Sequence, residues 1–165
     1  MEKIESFKID HCSLKRGLYV SRVDRLKESV TTTFDIRMRE PSKRNPLDGA
    51  AMHTIEHIGA TFLRNSSYLS ERTVYFGPMG CRTGFYLVID GECSVEEIRG
   101  TVKALFRYIS VFDNDIPGRS PEECGNFLYH DLIKARAAAF EYFNEVLCFL
   151  DESNTVYKDE KSQTQ

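Results

Sequence analysis

Apolar and polar residues alternate along residues 31–38, where Phe34, Ile36 and Met38 interleave with Thr33, Asp35 and Arg37. A period of two sends successive side chains to opposite faces, so this stretch predicts a strand with one buried and one wet face. Residues 3–9 and 18–23 are shorter strand candidates before it, and 73–76 and 83–90 follow later. In the last of these, Phe85, Leu87 and Ile89 alternate with Tyr86 and Val88, so both faces are apolar. That composition predicts a central strand covered on both sides. Gly77-Pro78-Met79-Gly80-Cys81 separates the last two candidates as a tight turn rich in chain breakers.

The helical period takes over elsewhere. Asp48 is a plausible N-cap for a helix over residues 49–64, with Ile55, Ile58, Phe62 and Leu63 on its apolar stripe. Ser94 with Glu97 three residues on forms a capping box for a second helix carrying Ile98, Val102, Leu105 and Ile109. A third helix is expected over residues 125–150, burying Leu128, Leu132, Ala139, Phe143, Leu147 and Leu150. Strands, helix, strands, helix, helix is the order of an α+β fold, a mainly antiparallel sheet packed against helices in a single domain. Residues 1–150 are taken as that domain, and 151–165 as a polar, mobile C-terminal tail.

The chain has 165 residues, 41% hydrophobic and 28% charged, enough apolar material for a core without disulfides. A net charge of −3 argues against a nucleic-acid or anionic-membrane partner. No apolar run approaches the roughly 20 residues of a bilayer span. The five cysteines are odd in number and irregularly spaced, and the start does not read as a signal peptide. Together these features predict reduced thiols in a cytoplasmic protein.

The sharpest chemical signal is His53-Thr54-Ile55-Glu56-His57 on the first helix. His53 and His57 stand at i and i+4, so both rings leave the same face and can bind one metal ion. Glu56 falls beside them, close enough to serve as a general base without being a ligand. The alternative is a pair of surface histidines with a solvated glutamate. Two histidines leave an ion short of ligands, and Cys81, Cys124, His11, His130 and carboxylates are the candidates. Cys124 is chosen as the third ligand because it stands at the expected start of the last helix, where the helix dipole favours a thiolate. A His2Cys site with one open position is catalytic in kind. Cys81 lies between glycines and next to Arg82, a setting for an acid/base or nucleophilic thiol. Cys12, Cys93 and Cys148 are given no role.

Ser6-Phe7 with Asp10-His11, Thr33-Phe34-Asp35-Ile36-Arg37, His53-Thr54-Ile55-Glu56-His57, the run from Gly77 to Tyr86, and Glu123-Cys124-Gly125 occur in an order that resembles the S-ribosylhomocysteine lyase (LuxS) family. The resemblance spans residues 2–150. It implies that His53, His57 and Cys124 hold a divalent metal, Fe2+ natively, with Zn2+ or Co2+ able to replace it. It implies that Glu56 and Cys81 are the acid/base pair, and that Ser6, His11 and Arg37 contact the substrate's ribose. The implied reaction takes S-ribosylhomocysteine to homocysteine and 4,5-dihydroxy-2,3-pentanedione, the autoinducer-2 precursor, by carbonyl migration and β-elimination. The implied assembly is a bacterial, cytoplasmic homodimer with its sites at the interface. One stretch departs from the family: an Asp and a Ser usual before Pro-Met-Gly-Cys are replaced here, within Val74-Tyr75-Phe76-Gly77.

Two other readings compete with this one. His-x-x-Glu-His is also a signature of inverted-zinc metallopeptidases, which take a carboxylate as third ligand. A metal-stabilised, non-catalytic module would close its site with four protein ligands.

Overall fold

A computed structural model describes residues 9–66 and 68–158. The strand expected over residues 3–9 lies outside them except for Ile9. Four strands form one antiparallel sheet: β1 (Gly17–Arg25), β2 (Val30–Arg37), β3 (Thr73–Pro78) and β4 (Gly84–Asp90), in the order β1-β2-β4-β3. Three helices, α1 (Gly49–Ser66), α2 (Val95–Val111) and α3 (Leu132–Glu145), pack with it, and a short α4 (Glu152–Thr155) touches β1. This is the α+β arrangement that the hydrophobic pattern predicts.

Phe34 and Ile36 of β2 stand level with Leu87 and Phe85 of β4. All four are fully buried with Leu18, Ile55, Ile58, Leu63 and the apolar stripe of α2. Each such side chain contributes about 1.5–3 kcal/mol when removed from water. β4 is the interior strand expected, but its coverage is unequal: Phe85, Leu87 and Ile89 are buried, while Tyr86 and Val88 are only half-buried. Ser94 caps α2 in the expected capping box with Glu97. Asp48 caps α1, its Oδ1 accepting from the Ala50 and Ala51 amides at 3.0 and 3.1 Å.

Two sequence expectations fail. The third helix runs Leu132–Glu145 instead of 125–150, and Leu128 is exposed rather than buried. Asp131 is its N-cap and accepts from the Lys134 amide at 2.9 Å. Upstream, Gly125 and Asn126 sit in successive turns, and the Tyr129 carbonyl bonds a histidine instead of a helical amide. The polar face of β2 is also not wet: Thr33, Asp35 and Arg37 are as buried as Phe34 and Ile36. Residues after 150 cover it. Tyr157 stacks on Tyr19 with ring centroids 4.6 Å apart, and its hydroxyl donates to Asp35 Oδ2 at 2.8 Å.

Candidate metal centre

α1 carries His53 and His57 toward the long loop between α2 and α3. Both Nδ1 atoms donate to backbone carbonyls of that loop, His53 to Tyr129 at 2.8 Å and His57 to Pro117 at 2.7 Å. A carbonyl can only accept, so each imidazole carries its proton on Nδ1 and presents the Nε2 lone pair. Metal-binding histidines are oriented in this way by their outer partners. Gly118 makes the second contact possible. Its φ is +67°, and a Cβ there would stand 3.2 Å from the His57 ring nitrogen.

The same loop brings in Cys124. Its position is set by turns: the Cys124 amide donates to the Ser120 carbonyl at 2.9 Å. The Asn126 amide donates to Cys124 Sγ at 3.4 Å. Cys124 therefore does not stand at a helix start, and the dipole argument that selected it does not apply. The thiol still reaches the histidines, with Sγ 3.4 Å from His53 Nε2. That separation suits two ligands on one ion bound at about 2.0–2.3 Å.

His53, His57, Cys124 and His130 place their donor atoms within 4.8 Å of one another, a soft and borderline donor set that fits a divalent metal ion. His130 stands apart from the other three in geometry. Its ring lies flat on that of His53, centroids 4.1 Å apart and planes 14° from parallel. A bound ion lies close to the plane of each ligand imidazole, and two stacked parallel planes cannot both contain it. His57 instead meets His53 edge-on at 89°. Burial first, then repulsion from His53, His57 and Arg119, lowers the His130 pKa to about 4, so the ring is neutral near pH 7.

Glu56 is half-buried on the same helix, outside the donor group, and makes no hydrogen bond or ion pair with the described residues.

Cys81 is exposed in the turn before β4, its Sγ 3.0 Å from Thr83 Oγ1 and 4.0 Å from Arg37 Nη1. The cation beside the thiol is thus Arg37, not only its sequence neighbour Arg82. Arg37 is 3% exposed and also donates to Thr83 Oγ1 and, through Nη2, to Asp35 Oδ2 at 2.6 Å. Tyr157 completes this chain from the far end of the sequence. Burial and the neighbouring Asp35 charge push its phenol well above the usual tyrosine range.

His11 is exposed, and its Nδ1 donates to the Ile9 carbonyl at 2.8 Å. Ser6 lies outside the described residues. Tyr75 is half exposed and folds its hydroxyl over Gly77, where a Cβ would collide with it. The two departures in that stretch are therefore coupled, because the glycine makes room for the phenol. Tyr157 and the Pro117 and Tyr129 carbonyls take part in these arrangements without a motif of their own. Asp35 and Thr54 do stand inside the sequence motifs, but the sequence assigns neither a role.

Residues 4–153 match the family model described as S-Ribosylhomocysteinase (LuxS). The S-ribosylhomocysteine lyase of Desulfotalea psychrophila is 54% identical over 157 residues, 95% of this chain and 99% of that protein. The enzymes of the same name from Clostridium beijerinckii and Porphyromonas gingivalis are each 46% identical, over 95% and 96% of this chain and 99% and 100% of their own lengths.

Proposed function

The chain belongs to the S-ribosylhomocysteinase (LuxS) family, and on that premise we propose that it is a carbon–sulfur lyase cleaving S-ribosylhomocysteine to homocysteine and 4,5-dihydroxy-2,3-pentanedione. The observation that carries the reading is the convergence of His53, His57 and Cys124 in one donor group. These three hold the ion, Fe2+ in the cell, with Zn2+ or Co2+ able to replace it. When bound, the ion polarises a substrate oxygen and opposes the negative charge that forms when an adjacent proton is removed.

The protein's own groups move the protons. Cys81 Sγ serves the first carbonyl shift, with the Arg37 guanidinium steadying negative charge on sulfur. Glu56, next to His57 and without a partner among the described residues, serves the later transfers and the β-elimination that expels homocysteine. Arg37 and His11, with Ser6, hold the ribose. Residues 1–150 form the catalytic unit, and Tyr157 extends it by pinning Asp35 behind Arg37. The working form is a homodimer. Exposed Leu128, Tyr129, Ile133 and Phe140, on the segment leading into α3 and along it, offer the apolar surface for a second copy. The free thiols of Cys81 and Cys124 suit a reducing compartment such as the cytoplasm. Among the described residues no helix is long and apolar enough to cross a membrane.

The peptidase reading is not favoured, because among the described residues no carboxylate joins the donor group. The structural-module reading needs four protein ligands, and the stacked His130 ring cannot share an ion with His53. The test is a free-thiol assay on anaerobically purified protein given S-ribosylhomocysteine. Thiol release that stops on chelation and returns with a divalent ion supports the reading. Metal-loaded protein that releases no thiol rejects it.

A further inference from the structure

His130 is the one imidazole of the cluster whose outer nitrogen is spoken for by a side chain rather than a carbonyl. Its Nδ1 lies 3.2 Å from Thr54 Oγ1. That hydroxyl has a single proton, which it donates to the Ala50 carbonyl at 2.9 Å. It also accepts from the Asp131 amide at 3.0 Å. With the Thr54 proton on the Ala50 carbonyl, its oxygen meets Nδ1 as an acceptor, which puts the proton on Nδ1 and the lone pair on Nε2. Nε2 is buried and has no hydrogen-bond partner among the described residues. A buried acceptor without a partner is costly and is seldom left so without a reason.

Three facts narrow what that lone pair is for. It belongs to a ring inside the donor cluster. The ring is stacked on His53 and so cannot ligate the same ion. It stands nearly perpendicular to His57, at 77° and 4.9 Å between centroids, with its donor atom within 4.8 Å of theirs. What it lacks is a proton donor, and a protic ligand on an ion held by the other three would supply one.

We infer that His130 Nε2 accepts a hydrogen bond from the protic group in the ion's open position, water in the resting enzyme and a sugar hydroxyl when substrate enters. This rests on the lyase reading for the identity of the sugar. His130 is then a binding residue that selects hydroxyl-bearing ligands over ligands without a proton. Thr54, between the two ligand histidines, is the positioning residue that fixes its tautomer.

The test uses full-length protein loaded with Co2+, whose visible spectrum reports what occupies the ion. D-ribose is the protic probe and azide the probe without a proton. His130→Phe keeps a flat ring on His53 but removes the acceptor. The expected result is one Co2+ per chain, azide affinity within about twofold of the parent, and ribose affinity weakened about tenfold, the loss of one hydrogen bond. His130→Gln returns an acceptor oxygen and should hold ribose within about threefold of the parent. Loss of Co2+ from His130→Phe would make His130 a ligand and overturn the inference. Equal changes for ribose and azide, or no change for ribose, would also overturn it, as would a parent spectrum indifferent to ribose. The lyase reading fails separately, if the metal-loaded parent releases no thiol from S-ribosylhomocysteine.

Discussion

His53, His57 and Cys124 are oriented by backbone groups, two carbonyls and one amide from a single loop. Cys81 is oriented by side chains, through Thr83, Arg37, Asp35 and Tyr157, drawn from three separate stretches of the chain. The first region depends on where a loop runs. The second depends on a buried charge pair that tolerates no loss of a partner. Backbone positioning survives most substitutions around it, whereas removing one member of a buried ion pair leaves an uncompensated charge. Substitutions near the metal donors should therefore change chemistry with little effect on stability, and those behind Cys81 should change both.

Glu56→Gln is the largest and cleanest departure expected on the metal side. Turnover should fall about 10²–10⁴-fold, the range for loss of a general acid/base, while metal content and melting temperature stay put. Metal loss in this variant would mean that Glu56 supports the ion, and the separation of the two regions would weaken. On the sheet side, Arg37→Met should cost about 3–5 kcal/mol in denaturant unfolding because Asp35 is left buried without its counter-charge. It should also slow alkylation of Cys81. Parent-like stability would show that the Asp35 charge is neutralised some other way.

Tyr157→Phe tests the far end of the same chain. Losing one hydrogen bond to a carboxylate should cost about 1.5–3 kcal/mol and leave the stacked ring in place. A truncation before residue 157 with no effect on stability would remove the C-terminal segment from the account. The smallest expected effect is at Asp48, where Asp48→Ala should cost about 0.5–2 kcal/mol through the lost cap. Hydrogen bonding from Lys134, then from the Ala51 amide, holds this carboxyl below the usual carboxylate range. Its contribution is therefore complete above the unfolded-state value near 4 and fades as pH falls through the lower folded one. An acid titration of the parent against Asp48→Ala should show the two stabilities converging at low pH.

The contrast also explains what could be read from the sequence. The sheet, α1, α2 and the i, i+4 histidine pair follow from local periodicity and spacing, because a few neighbouring residues settle each one. Cys124 does lie beside the histidines, but turns and not a helix end place it there. The start of α3 was misjudged because apolar Leu128 continues the helical period although it faces solvent. The wet face assigned to β2 was wrong because its cover comes from Tyr157, 122 positions beyond Asp35. Period-two alternation reports the polarity of a face and not what later folds over it. Likewise His130 was one candidate ligand among several, and only its stacking on His53 separates it from the other donors.

The central claim is that α1 and the loop before α3 build a metal site from two histidines and one thiolate. Titrating metal-free protein with Co2+ and following the thiolate-to-cobalt charge-transfer absorption tests it most directly. The account predicts a band that saturates at one equivalent per chain and is absent in Cys124→Ala. Cobalt bound without that band, or a band unchanged in Cys124→Ala, would contradict it.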